Sequence, residues 1–125
     1  MNPFAESVNL EAAFATITEH WSPKVVAQVN DQYVKLAKIQ GEFTWHSHEH
    51  EDELFFIVRG SLAMHYEGNK VVQLNQGSLH VVPRATQHKP VAEQECWIML
   101  IETVTTKHTG DVDTPYTKTL EQQLA

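Results

Sequence analysis

From residue 25 to residue 104 the chain breaks into short β-rich runs separated by turn residues, with no helical stretch between them. Residues 25–29 lead into Asn30-Asp31, and 33–40 end at Gly41. The apolar run 54–58 ends at Arg59-Gly60. Glu67-Gly68-Asn69-Lys70 reads as a hairpin loop between 61–66 and 71–74. Residues 78–82 stop at Pro83, and 88–92 and 95–104 complete the set. Short strands at near-regular spacing, without helices between them, predict an antiparallel sandwich or barrel. The chain has 125 residues, the size of one domain able to bury a core without staples.

The flanks differ from this middle. Asn9 can cap a helix in which Leu10, Ala13, Phe14, Ile17 and Trp21 recur on one face, and Ser22-Pro23 stops it. His20 would then end the helix, where a cation complements the dipole. The expected division is a helical segment over 1–24 packed on the barrel, the barrel over 25–104, and a polar Thr-rich extension over 105–125 that wraps the outside and ends in a short helix near 120–124. The formal charge of −7 makes nucleic acid and anionic membrane surfaces poor partners. Cys96, the single cysteine, sits in an apolar run and reads as a reduced buried thiol. Met1-Asn2-Pro3-Phe4-Ala5-Glu6 has neither a basic n-region nor an apolar h-region, and no stretch reaches a spanning length. A cytoplasmic location is the expectation.

Chemistry concentrates in Trp45-His46-Ser47-His48-Glu49-His50-Glu51-Asp52-Glu53. Such a run alone is as easily a solvated acidic loop. On a strand, however, His46 and His48 share a face, with Thr44 and Glu42 in the same parity, while Trp45 points outward. Two converging imidazoles suit a borderline divalent ion, and Glu53, opening the next strand after a turn, can return a carboxylate to the same face. A strand, a tight turn at Pro83 and then His88 can bring in a third imidazole. Three nitrogens and one carboxylate leave positions open on an octahedral ion, as catalysis or substrate chelation requires.

These residues resemble the cupins, in particular small single-domain cupins of the conserved-barrel type and the mannose-6-phosphate isomerase-like cupins. Gly41, His46, His48, Glu53 and Gly60 match the first cupin motif, with four residues instead of five between Gly41 and His46. Gly77, Pro83 and His88 match the second, with Ala85 where glycine is usual and Ala92 where asparagine is usual. The resemblance covers residues 33–100 and implies an all-β double-stranded β-helix, a jelly-roll barrel with a short N-terminal helix. It implies one divalent metal (Fe, Mn, Ni, Co or Zn) on His46, His48, Glu53 and His88, and a homodimer, for which edge-strand protection gives a physical reason.

Two functions follow. One is a metal-dependent enzyme, dioxygenase- or isomerase-like, acting on a small polar molecule that coordinates the metal inside the barrel. The other is a non-catalytic module that binds or senses a small metabolite. Catalytic candidates are Glu53, Thr44 and Tyr66, with Glu42 and Tyr33 as further inward-facing groups and His50 if its loop folds inward. His50 shares parity with His48 but falls too close to Glu53 and reads as a turn residue. Arg59 and Arg84 flank turns where they could grip an anion at the rim. His65, His80 and His108 read as surface or satisfied histidines, and Phe43, Phe55, Met64 and Met99 as core.

Overall fold

The structure, a computed structural model, describes residues 6–106, 110 and 117–124. Seven strands follow one short helix: α1 Leu10–Ala15, β1 Lys24–Val29, β2 Gln32–Glu42, β3 Glu53–Arg59, β4 Ser61–Tyr66, β5 Lys70–Asn75, β6 Leu79–Val82 and β7 His88–Thr103, with α2 Leu120–Leu124 at the end. All pairings between strands are antiparallel. The order is β1-β2-β7-β3-β6, with β4 joining β5 to β7.

The long strand β7 organises the barrel. On one edge it runs against β2. On the other it bonds β4 through His88–Val91 and β3 through Trp97–Ile101, so one strand serves two partners and the sheet curls closed. The two runs expected at 88–92 and 95–104 are therefore one strand. Glu93-Gln94-Glu95 looks like a turn in sequence, yet these residues are an exposed bulge, where the register against β2 jumps from Ile39↔Cys96 to Gly41↔Ala92. Gly60 lies against this bulge with φ 87°, and a Cβ there would sit 3.0 Å from the Glu95 carbonyl oxygen. Glycine is required by both backbone angle and close approach.

Alternating side chains fill the inside. Ile57, Leu62, Met64, Leu74, Cys96 and Ile98 form one buried cluster within the barrel. The Cys96 thiol is free and its pKa is pushed up to about 11 by burial, the inert buried thiol expected from its apolar neighbours. A second cluster lies outside, where Phe14 and Ile17 pack on Val26 and Leu36, with Met99 alongside. Phe14 stacks on Trp97 with ring centroids 4.7 Å apart, so Trp97 meets the helix. Burying Phe14 completely is worth about 2–3 kcal/mol, which fixes this short helix in place.

The helix is capped by Asn9 as its sequence suggests, since the Asn9 side chain accepts from the Ala12 N–H at 2.9 Å. It ends at Ala15, not near Trp21. Thr16 turns both its N–H and its hydroxyl back to the Ala13 carbonyl, and the run Thr16-Ile17-Thr18 is β-branched. Trp21 instead sits in the left-handed region at φ 58° and enters the barrel cluster. His20 is likewise no helix terminus: it bridges Lys38 and pairs with Glu95 at 2.8 Å on the surface. The short helix expected near 120–124 is α2, which lies against β1. Most of the 105–116 extension, with His108, lies outside the described residues.

Candidate metal centre

His46, His48, Glu53 and His88 converge inside one end of the barrel, each offering a ligand atom within 4.8 Å of all the others. All four are buried, at 2%, 3%, 2% and 0% exposure. Glu53 enters from the first residue of β3 and His88 from the first of β7, so the ends of two strands supply two ligands. His46 and His48 come from an extended loop and not from a regular strand, as their spacing alone suggested. That loop is held straight by a bridge in which His46 and His88 exchange both backbone hydrogen bonds, at 3.0 and 2.9 Å.

The bridge has a further consequence. The regular alternation of β2 stops at Glu42, and both Phe43 and His46 turn inward. Glu42 therefore faces solvent, where its carboxylate lies 2.7 Å from Lys89. Trp45 points outward as expected, 40% exposed, with the Lys89 ammonium 5.5 Å above its ring. The turn after β6 braces the same loop. The Ala85 N–H donates to the His48 carbonyl at 2.7 Å, the Arg84 N–H to Asp52 Oδ1 at 2.8 Å, and the Gln87 amide to Ser47 Oγ at 3.2 Å. From the far C-terminal segment, Gly110 packs on the loop so closely that a Cβ would run into the Ser47 carbonyl oxygen and come within 3.1 Å of the His46 ring. No sequence signal marks Gly110 as a neighbour of this loop.

Backbone carbonyls orient the imidazoles. A carbonyl only accepts, so Nδ1 of His46, 2.9 Å from Thr44 O, and Nδ1 of His88, 2.9 Å from Thr86 O, carry the ring protons. Each Nε2 then keeps a lone pair, the arrangement of a metal-ligating histidine with its outer hydrogen bond in place. Nε2 of His88 is fully buried without a hydrogen-bond partner among the described residues. A buried acceptor left in that state costs free energy unless a further group satisfies it. Glu53 Oε1 lies 3.4 Å from His48 Nε2 and 3.8 Å from His88 Nε2. The residues present thus fit a divalent cation: neutral imidazole nitrogens, one carboxylate and an orphaned lone pair facing one point.

Electrostatics agree. Burial, and then the neighbouring His88, lower the His46 pKa to about 4, so this ring stays neutral and able to ligate. Burial alone would raise Glu53, but a hydrogen bond from Glu102 and the neighbouring His48 and His88 imidazoles outweigh it and hold the carboxylate well below its ordinary range. Glu102 moves the other way, well above its ordinary value, through burial first and then the Glu53 charge. Lys35 pairs with Glu102 at 2.7 Å, both sealed from solvent. This Lys35–Glu102 layer behind Glu53 had no sequence reading. Its signal was a charge at an inward position of an otherwise apolar strand, beside Ala37 and Ile39 in β2 and beside Ile98 and Leu100 in β7.

The other candidates lie elsewhere. The Thr44 carbonyl orients His46, while no side-chain contact places Thr44 in the cluster. The Tyr66 hydroxyl bonds His80 Nε2 at 2.6 Å in a groove that also includes Lys70 and Thr86 but none of the four ligands. His80 is the satisfied histidine expected, and His65 sits part-exposed on β4. His50 is exposed beside Glu49, 4.0 Å away. Tyr33 is half-buried opposite Glu102. Arg59 stacks 4.1 Å over Trp97, and Arg84 is exposed. Phe43, Phe55 and Met64 are core, and Phe43 and Phe55 also wall a cavity beside His46 and Glu53.

A family model for the cupin domain matches residues 32–101, more than half of the chain. The chain belongs to the cupin family. Its fold is the double-stranded β-helix, and the cupin is 31% identical over 81 residues to the uncharacterized protein YdbB of Bacillus subtilis, covering 65% of this chain and 72% of that one. Among solved structures it resembles a cupin-2 domain containing protein from Shewanella frigidimarina at 40% identity and a TM-score of 0.75, over 77% of this chain and 93% of the other. Protein NMB1881 from Neisseria meningitidis follows at 31% identity and a TM-score of 0.72, over 78% and 99% of the two chains. Where cupins usually carry glycine in the second motif, this cupin has Ala85, and the backbone is still left-handed there at φ 58°. Ala92, in the place of the usual asparagine, is buried in the core opposite Gly41.

Proposed function

We propose that this cupin holds one divalent first-row transition metal through His46, His48, Glu53 and His88 and presents it to a small molecule that coordinates through oxygen. The convergence of four buried ligand atoms within 4.8 Å carries the reading. Bound there, the metal supplies Lewis-acid or redox chemistry. The protein's own part is to fix the imidazole tautomers through Thr44 and Thr86, keep Glu53 ionised, and exclude water.

Of the two enzymatic readings, the dioxygenase-like one fits better. An isomerase moves a proton on the protein, and the described residues lining the cavity beside His46 and Glu53 include no acid or base other than those ligands. The same lack favours, as a second reading, a module that binds a metabolite without turning it over. A homodimer has support from β6, an edge strand with Leu79 at 63% and Val81 at 44% exposure. The buried free thiol Cys96 supports a reducing compartment, the cytoplasm. No helix of the described residues is long and apolar enough to cross a membrane.

The test is metal content after loading separately with Fe, Mn, Ni, Co and Zn. The wild type is expected to retain about one ion per chain, and His48→Ala to bind at least about 100-fold more weakly. No stoichiometric metal on the wild type overturns the proposal. Oxygen uptake by the iron-loaded protein with small chelating substrates separates the enzyme from the binding module.

A further inference from the structure

The cavity that touches the metal ligands is made of carbon. Trp21, Ile39, Phe43, Phe55, Ile98 and Leu100 line it, completed by an alanine and two prolines, and among the described residues its only ionisable groups are His46 and Glu53 themselves. Even Trp21 turns its polar atom away, donating its indole N–H to the Gln40 carbonyl at 3.0 Å while its ring stacks on Phe43 with centroids 4.7 Å apart. The space is also small. About 40 Å³ is open to the centres of water-sized groups, room for about three of them. The polar groove at Tyr66, Lys70 and His80 is the alternative berth, but none of the four ligands borders it.

We propose that the molecule taken by this centre carries, next to its chelating oxygens, an apolar group of about three carbon atoms that occupies this cavity. The inference rests on the metal centre proposed above and narrows its ligand to short-chain aliphatic oxygen chelators. A hydroxyl or carboxylate in the tail would lose its water among these walls and find no partner. Each methylene seated there strengthens binding about fourfold, and a longer chain meets the ring and branched side chains that close the space.

The test uses wild-type protein loaded with Co(II), whose visible absorption reports ligands entering the coordination sphere. Acetohydroxamate, butyrohydroxamate, octanohydroxamate and the monohydroxamate of succinic acid share one chelating head and differ only in the tail. Butyrohydroxamate is expected to bind about fifteenfold more tightly than acetohydroxamate, two methylenes' worth. Octanohydroxamate gains nothing further, and the carboxylate tail binds at least about tenfold more weakly than butyrohydroxamate. Ile98→Ala, if it folds and takes up cobalt, shifts the optimum to a longer chain. Affinities indifferent to tail length, or a carboxylate tail as good as a propyl one, overturn this inference while leaving the metal centre standing. Failure to take up cobalt or any other of the five ions overturns both.

Discussion

One strand carries two kinds of interior. Along β3, Ile57, Phe55 and Glu53 all face into the barrel, and over those four residue steps, about 13 Å, the surroundings change from carbon to ionisable groups. At the Ile57 end lie Leu62, Met64, Leu74 and Ile98. At the Glu53 end lie three histidines, Glu102 and Lys35. The apolar end gains free energy by leaving water. The polar end has to be desolvated and is only partly compensated by its internal hydrogen bonds, so it is a cost to the apo fold that a bound cation offsets. Stability and metal affinity should therefore respond to different halves of the same barrel.

The largest separation is expected from Ile57→Ala. It leaves a hole in a fully buried site and should lower the unfolding free energy by about 2–5 kcal/mol in denaturant titrations, with one metal still bound per folded chain. A loss below about 1 kcal/mol would mean that the apolar end is loosely packed, and the contrast between the two ends would fail.

The polar end should show itself through pH. His46 titrates near 4 in the folded chain against 6.5 ordinarily, so on acidification the unfolded chain takes up this proton first. The contribution of His46 is intact above pH 6.5 and is lost as pH falls from there towards 4, roughly 3 kcal/mol in all and about 2 of it between pH 7 and 5. Metal-free wild type should therefore lose about 2 kcal/mol more over that interval than His46→Gln. Glu102, whose raised pKa makes stability fall as pH rises above its ordinary value, acts in the opposite direction in both proteins and cancels in the difference. Equal losses would show that His46 is not held neutral by its burial.

The polar end was also the more legible in sequence, at the level of its ligands. His46, His48, Glu53 and His88 are chemically conspicuous, and their spacing survives whatever the backbone does locally. Parity was the weaker guide. The irregular backbone at Phe43–Trp45 breaks the alternation, which is why Glu42 reads as inward but lies on the surface with Lys89. Charges inside strands mislead for a related reason. Lys35 and Glu102 drew no reading from sequence because a buried charge needs its partner, and that partner is 67 positions away and visible only once β2 lies beside β7. Trp21 continues a helical period that the β-branched Thr16 and Ile17 have already ended. Apart from the split of β7 into two runs, the strands of the apolar end were found within a residue or two, because period-two burial is imposed by the pleat itself.

The smallest predicted effect concerns the turn that braces the ligand loop. Ala85 is exposed and sits at φ 58°, where a Cβ is unfavourable by about 1–2 kcal/mol. Ala85→Gly removes that strain but adds freedom to the unfolded chain, an opposing term of about 0.4–1 kcal/mol. The methyl group lost is on the surface and buries little, and the hydrogen bond to the His48 carbonyl is made by the backbone N–H and survives the change. The variant should therefore be more stable than wild type by up to about 1 kcal/mol, with metal affinity altered less than about threefold. A destabilised Ala85→Gly would show that the turn needs stiffness more than relief. A large fall in metal affinity at unchanged stability would show instead that the strained turn presses the His46–His48 loop into its ligating shape, and that the polar end stores conformational energy as well as buried charge.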